Sequence, residues 1–549
     1  MPGFECKPWC GAPWCTWREQ GDRQSLLVLV HVELMFYFPA CCYCFLGDEA
    51  ELSRVLGVVS DRIYVSFKPV TIVSGLLLCY GRVVYAGDAG VVEKTVSVLG
   101  GELVDYGSYT VMPGFIDAHL HLDSLSLQDF ILDLRNTRSV REILEKIREQ
   151  VSRNPSTPFI VGRGWDQDKL LEKKPPTRRE LDEIVPDKPV MLVRICGHMA
   201  VVNTKTLEKT GIVPGENIDY EKGFVYEEKV GEIWRSLGLE EYALRNIASK
   251  QKELAGKGIT RIGWVSAKTI HPLTITQTIK IRYYLSPKDF TAWLEKNLPP
   301  GTLSVDGVKI LLDGSLGART AYLSKPYSDD PGNTGKINYD ENKLEEIVKH
   351  AVSRKYHVAV HAIGDKALDT ILGVYDKLGV HGERIEHASL IRGDQIPLLK
   401  KLGVKLVVQP GFILSDTWIL DRLGKERIRW AYRIKSLLDH GITIGFSSDA
   451  PVEPPDPWRN IYAAVTRGEN EGLDIAYYTR DEKIDVATAI HLHTKGSAET
   501  LYMNNVGELK PGYTGDYIVV DKNPLELEPY ELLKTRVIET RIEGEKIYP

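Results

Sequence analysis

Apolar and polar positions along this chain fall into distinct regimes. From Ser66 onward, short runs alternate apolar and polar residues between glycines, as in Val70-Thr-Ile-Val-Ser74, Gly75-Leu-Leu-Leu-Cys-Tyr-Gly-Arg82 and Val83-Val-Tyr-Ala-Gly87. This is the pattern of antiparallel strands bounded by turns. The far C-terminus repeats it in Asp516-Tyr-Ile-Val-Val-Asp521 and Thr535-Arg-Val-Ile-Glu-Thr-Arg-Ile542. The two ends are therefore expected to pair into one small β-sandwich, 61–112 with 500–549, leaving 113–499 as a single inserted domain.

The middle repeatedly sets a continuous apolar run before a helical stretch. The expected strands are Phe115–His119, Phe159–Arg163, Val190–Ile195, Gly258–Gly263, Gly307–Leu312, Val358–His361, Arg384–His387, Val404–Gln409 and Ile442–Ser447. Buried strands alternating with helices predict a parallel α/β sheet. No Gly-rich phosphate loop follows any of them, which disfavours a nucleotide-binding fold. Residues about 125–240 exceed what the first loops of a barrel need and are expected to form an inserted, mainly helical subdomain.

Residues 1–60 differ from the rest. Leu26–Leu46 is nearly long enough to span a membrane, but His31, Glu33 and Pro39 interrupt it, so a membrane span is disfavoured. No basic start and no small-residue cleavage site mark a secretory signal. The stretch reads as a poorly ordered extension. Of eight cysteines, six lie in the first 44 residues; among them Cys6, Cys10 and Cys15 have neither a CxxC spacing nor a histidine close by, so a zinc-binding head is not expected. The remaining two, Cys79 and Cys196, make no disulfide framework, and a reducing cytoplasm fits best. A net charge of -6 implies no polybasic surface and excludes nucleic acid as an expected partner. At 549 residues the chain can hold a large barrel and an accessory unit.

Candidate chemistry lies at strand ends. Of thirteen histidines, His119, His121, His361 and His387 sit at or just beyond the C-terminal end of an expected strand, and Asp449 ends another. In a parallel barrel those ends converge on the face that carries function. His119 and His121 are spaced i,i+2, which in a strand points both to one side. Against this stands the plainer reading of each histidine as a hydrogen-bonded core residue, and of Asp449 as a helix cap. His491 and His493 share the spacing but fall in a helical pattern, where i,i+2 does not share a face, and are excluded.

The segment Met112-Pro-Gly-Phe-Ile-Asp-Ala-His-Leu-His-Leu122 resembles the first-strand signature of the amidohydrolase superfamily. Further segments resemble its type 3 branch, which includes N-substituted formamide deformylases. They are Gly164-Trp-Asp-Gln167, Gly197–Asn203, Val308–Thr320, His361–Asp365, Arg384–His387 and Ser448–Val452. The likeness runs from about residue 60 to the end. It implies an α/β fold, a (β/α)8 barrel with a β-sandwich, and a centre of two divalent metal ions, expected to be Zn2+ from the histidine-rich ligands. It also implies roles. His119, His121 and Asp449 would hold the more buried ion, and His361 with His387 the more exposed one. Lys309, carboxylated on Nζ, would bridge them. Asp449 would pass a proton from the attacking water to a leaving nitrogen, and His198, which follows the expected strand Val190–Ile195, is a second catalytic candidate that could hydrogen-bond substrate or a tetrahedral oxyanion. Trp165, Asp166, Asp313 and Arg319 are expected to line the substrate pocket, though Trp165 could equally be core and Asp313 could pair with Arg319. Gln409 is a weaker candidate.

The resulting expectation is a cytoplasmic, small-molecule hydrolase of an amide, formamide or cyclic amide C–N bond, with a homodimer implied by the resemblance. Two alternatives remain open: a nucleobase-type deaminase using Glu386 beside His387, and a non-enzymatic regulatory or binding protein on the same scaffold.

Overall fold

The computed structural model describes residues 55–549 apart from 129, 168, 195–198, 216, 227, 266–276 and 296–304. Its centre is an eight-stranded parallel sheet. We number its strands β1 (Phe115–Leu120), β2 (Ile259–Val265), β3 (Lys280–Leu285), β4 (Val305–Leu311), β5 (His357–Ala362), β6 (Arg384–His387), β7 (Lys405–Val408) and β8 (Thr443–Phe446). Each pairs in parallel with the next. The apolar runs form buried strands because helices cover the sheet from outside. Leu344, Val348, Leu368 and Ile371, for example, join Val358 and Val360 in the main core.

The curved sheet closes at its mouth. The Asp449 N–H donates to His119 O at 2.9 Å, and the His121 N–H donates to Ala450 O at 2.8 Å. The Asp117 carboxylate accepts from Ser448 N at 3.1 Å and from the Ser448 hydroxyl at 2.5 Å. The first and last strands are thus stitched together beside the candidate ligands.

A second sheet holds Ile131–Asp133, Ile160–Trp165, Val190–Arg194, Met199–Val202, Ile218–Asp219 and Phe224–Tyr226. The insertion is therefore a mixed α/β unit, not a mainly helical one. The runs at Phe159 and Val190 belong here, outside the barrel. Alternation explains how this sheet buries both faces. Ile160, Val190, Leu192 and Val201 pack with Ile143 and Ile147 on one side. Val161, Met191, Val193 and Val202 pack with Ile233 and Leu237 on the other.

The chain ends share a third sheet. Val55–Phe67, Val70–Cys79 and Arg82–Gly87 form a meander, and Thr110–Pro113 pairs antiparallel with Tyr517–Val520. Its first strand begins within the stretch read as an extension. Cys79 is disulfide-bonded, which departs from the expectation of reduced thiols. Among the described residues no helix is long and apolar enough to cross a membrane, and the run 26–46 lies outside them.

Candidate metal centre

Three imidazoles are held with one nitrogen spent and the other facing a common point. His121 Nδ1 lies 2.7 Å from Val265 O, which can only accept, so Nδ1 carries the proton and Nε2 keeps its lone pair. His119 Nδ1 lies 2.6 Å from Glu386 Oε2. His387 Nδ1 lies 2.7 Å from Gln409 Oε1, and the Gln409 amide N–H donates to Ser447 Oγ, which fixes the amide orientation. His387 reaches the mouth through its backbone. Alternation along β6 would turn it away from Glu386, but φ is 69° at His387 and 43° at Ala388, and the strand ends in that turn.

Asp449, also at positive φ (58°), puts Oδ1 3.2 Å from His119 Nε2 and 3.1 Å from His121 Nε2. His119 Nε2 and Asp449 Oδ1 are fully buried with no hydrogen-bond partner. Candidate ligand atoms of His119, His387 and Asp449 all lie within 4.8 Å of one another. His361 completes the group on the far side, its ring centroid 4.5 Å from that of His387. Its Nε2 is taken by Gly314 O at 3.0 Å, which leaves Nδ1 unprotonated.

Electrostatics point the same way. Burial pushes His387 down to about 3, and together with the neighbouring His387 it takes His361 well below the usual range. Burial opposes ionisation of Asp449, but His119 and His121 outweigh it and hold the carboxyl well below its ordinary value. Burial likewise pushes His121 down, and Asp449 outweighs it to give a net rise. Lone pairs gathered on a largely buried anion suit a cation. A proton on one imidazole can serve one contact, whereas a metal ion satisfies all of them. Neutral imidazoles with a carboxylate are the donor set of a borderline-soft divalent ion.

Lys309 is buried in β4, level with Ala359. Burial lowers its pKa, opposed by the charges of Glu386 and Asp449. Among the described residues no hydrogen bond or ion pair reaches its amine.

The remaining candidates fall elsewhere. Trp165 is fully buried in the inserted sheet, its indole N–H donating to Leu192 O at 2.9 Å, so it packs a core instead of lining the pocket. Asp166 is paired with Arg194 at 2.8 Å. Arg319 pairs with Asp329, not Asp313. Asp313 accepts from Ile363, Gly364 and Tyr322 N–H at 2.8–3.0 Å. It therefore staples the loops after β4 and β5, where a Cβ on Gly364 would stand 2.0 Å from Tyr322 O. His198 lies outside the described residues.

Two residues escaped the sequence reading. Arg384 holds Glu386 with bonds of 2.9 and 3.0 Å, both fully buried, and Asp117 clamps β1 to the loop after β8. Both lie inside the quoted motifs, where a charged residue within a buried strand was the available signal.

Residues 102–548 match the amidohydrolase family. A metal-dependent hydrolase of Pyrococcus horikoshii OT3, described as uncharacterized, superposes with a TM-score of 0.77 at 38% identity, over 87% of this chain and 99% of that one. YtcJ of Bacillus subtilis (strain 168) is 31% identical over 481 residues, 81% of this chain and 90% of its own. The N-substituted formamide deformylase of Arthrobacter pascens is 23% identical over 491 residues, 81% and 89% of the two chains.

Proposed function

This chain belongs to the amidohydrolase family and is a metal-dependent hydrolase, and from that premise we propose that it cleaves a non-peptide C–N bond of an amide, formamide or cyclic amide. The formamide deformylase among its relatives supports this bond class. His119, His121 and Asp449 would hold one divalent ion and His361 with His387 a second, with zinc the best match to the donors. When bound, such ions supply Lewis acidity and lower the pKa of a water toward about 7.

The residues of the chain supply the rest. Asp449 takes the proton of the attacking water as the new C–O bond forms, and returns it to the nitrogen as the C–N bond breaks. Lys309, whose burial lowers its pKa and whose amine makes no direct ion pair among the described residues, is suited to react as the free amine. Its Nζ adds to the carbon of dissolved CO2 and one proton leaves to solvent, giving a carbamate anion between the two ligand groups.

The observation that carries this reading over ring deamination is the placement of Glu386. A deaminase needs a carboxyl that carries protons to the substrate. Here Oε1 is engaged by Arg384 and Oε2 by Arg384 and His119, beneath the ligand plane and away from solvent. Burial would raise its pKa, but Arg384 and His119 outweigh it and hold the carboxyl well below its usual range, so it stays ionised.

Metal analysis coupled to a screen of N-formyl, N-acyl and lactam substrates tests the proposal. Two ions per chain with amine release are expected. One ion with ammonia release from a ring amine would establish the deaminase instead. Full metal occupancy without turnover on any substrate would favour a binding protein.

A further inference from the structure

Three apolar side chains stand at the mouth, each one step from a different ligand. Leu311 lies two residues beyond Lys309 in β4, on the same side and nearer the mouth, level with His361. It is 52% exposed, while Leu312 and Ile310 beside it are fully buried. Val452 is 57% exposed, and its N–H donates to Asp449 O at 2.9 Å, so a single turn carries it from the acid. The Phe412 ring stacks on His387, centroids 6.3 Å apart at 21°.

The wall behind Phe412 is fixed. The loops after β4 to β7 build their own core from residues such as Leu323, Ile363, Leu390, Ile413 and Ile419. Trp418 packs so close to Gly317 that a Cβ there would come within 2.9 Å. Several polar and charged groups of these loops and of the segment after β8 are engaged with one another. Asp329 holds Arg319 and Arg422, Glu453 holds Arg459, and Asp416 receives the Tyr432 hydroxyl. Exposed apolar side chains around a polar centre mark a ligand surface.

We infer that the substrate carries an uncharged, apolar group beside its scissile bond, seated against Leu311, Phe412 and Val452. The inference rests on the hydrolase reading above and names the chemistry its pocket accepts.

The test is calorimetric titration of the metal-loaded protein with three hydroxamic acids that share a chelating head and differ in tail: acetohydroxamate, phenylacetohydroxamate and succinomonohydroxamate. The phenyl tail should tighten binding roughly tenfold over acetohydroxamate, and the carboxylate tail should add nothing. Phe412→Ala and Val452→Asp should each erase most of the phenyl gain, read as the ratio of phenylacetohydroxamate to acetohydroxamate affinity within the same variant. Equal or tighter binding of the carboxylate tail, survival of the phenyl gain in both variants, or no hydroxamate binding at all would overturn the inference. The hydrolase reading is judged separately, because affinity is measured without turnover. A protein that prefers the phenyl tail but releases no amine keeps the apolar pocket and loses the hydrolase. One that hydrolyses amides with charged tails in preference loses the pocket alone.

Discussion

His119 and Glu386 meet through Nδ1 and Oε2 at 2.6 Å with neither side chain reaching solvent, and Arg384 neutralises the same carboxylate from the other side. This carboxylate fixes the tautomer and the ring orientation, so that the other nitrogen faces the centre. Glu386→Gln should therefore weaken metal binding about 10–100-fold. It should also leave the Arg384 charge buried without its partner, at a cost of about 3–5 kcal/mol. Metal competition with a chelating dye and thermal unfolding read the two effects. Parent-like values in both would remove Glu386 from this role.

Asp449→Asn keeps an oxygen in place but removes the proton acceptor. Metal content should stay largely intact while kcat falls by orders of magnitude on whichever amide the parent cleaves. Unchanged turnover would refute the proton-transfer role.

Lys309→Met separates two readings of that buried amine. A buried amine without a hydrogen-bond partner costs stability, so the metal-free variant should melt no lower than the metal-free parent. The metal-loaded variant should lose about one ion per chain, because the anionic bridge is gone. Growth in 13C-bicarbonate should give the parent a carbamate signal that the variant lacks. A variant that binds as much metal as the parent would show that the lysine does not bridge.

His493 offers a pH test outside the centre. It is fully buried, donating from Nδ1 to Ile116 O at 3.1 Å and accepting at Nε2 from Asn460 at 3.2 Å. Burial depresses its pKa from 6.5 to about 4. As pH falls below 6.5 the unfolded chain takes up this proton before the folded one, so stability present at neutral pH is lost toward pH 4. The loss at pH 5 is about 2 kcal/mol. Comparing melting at pH 7.5 and 5, the parent should drop further than His493→Gln. Equal drops would assign the acid sensitivity to other groups.

The strand-end histidines were legible because a parallel barrel turns sequence order into proximity. Lys280–Leu285 was not, since Lys280 and Arg282 break its apolar run. Those charges are taken up by Glu543 and Asp306. The runs at Ile160 and Val190 were recognisable as strands but not as members of a second sheet, because periodicity reports burial and not partnership. Trp165 and Asp313 sit in motifs that resemble functional ones, and only their contacts show a core indole and a loop staple. The positive φ angles at His387 and Asp449, which aim both side chains, have no signature in residue type.

The seam between β1 and the loop after β8 has a consequence for biogenesis. Asp117 and Ser448 are 331 residues apart, and the candidate ligands His119 and Asp449 lie on opposite sides of the same join. A ribosome releases the first half of the binding site long before the second. Until Asp449 emerges after the last barrel strand, the early histidines have no carboxylate to complete the candidate site, so metal acquisition there would be a late event on a nearly finished chain.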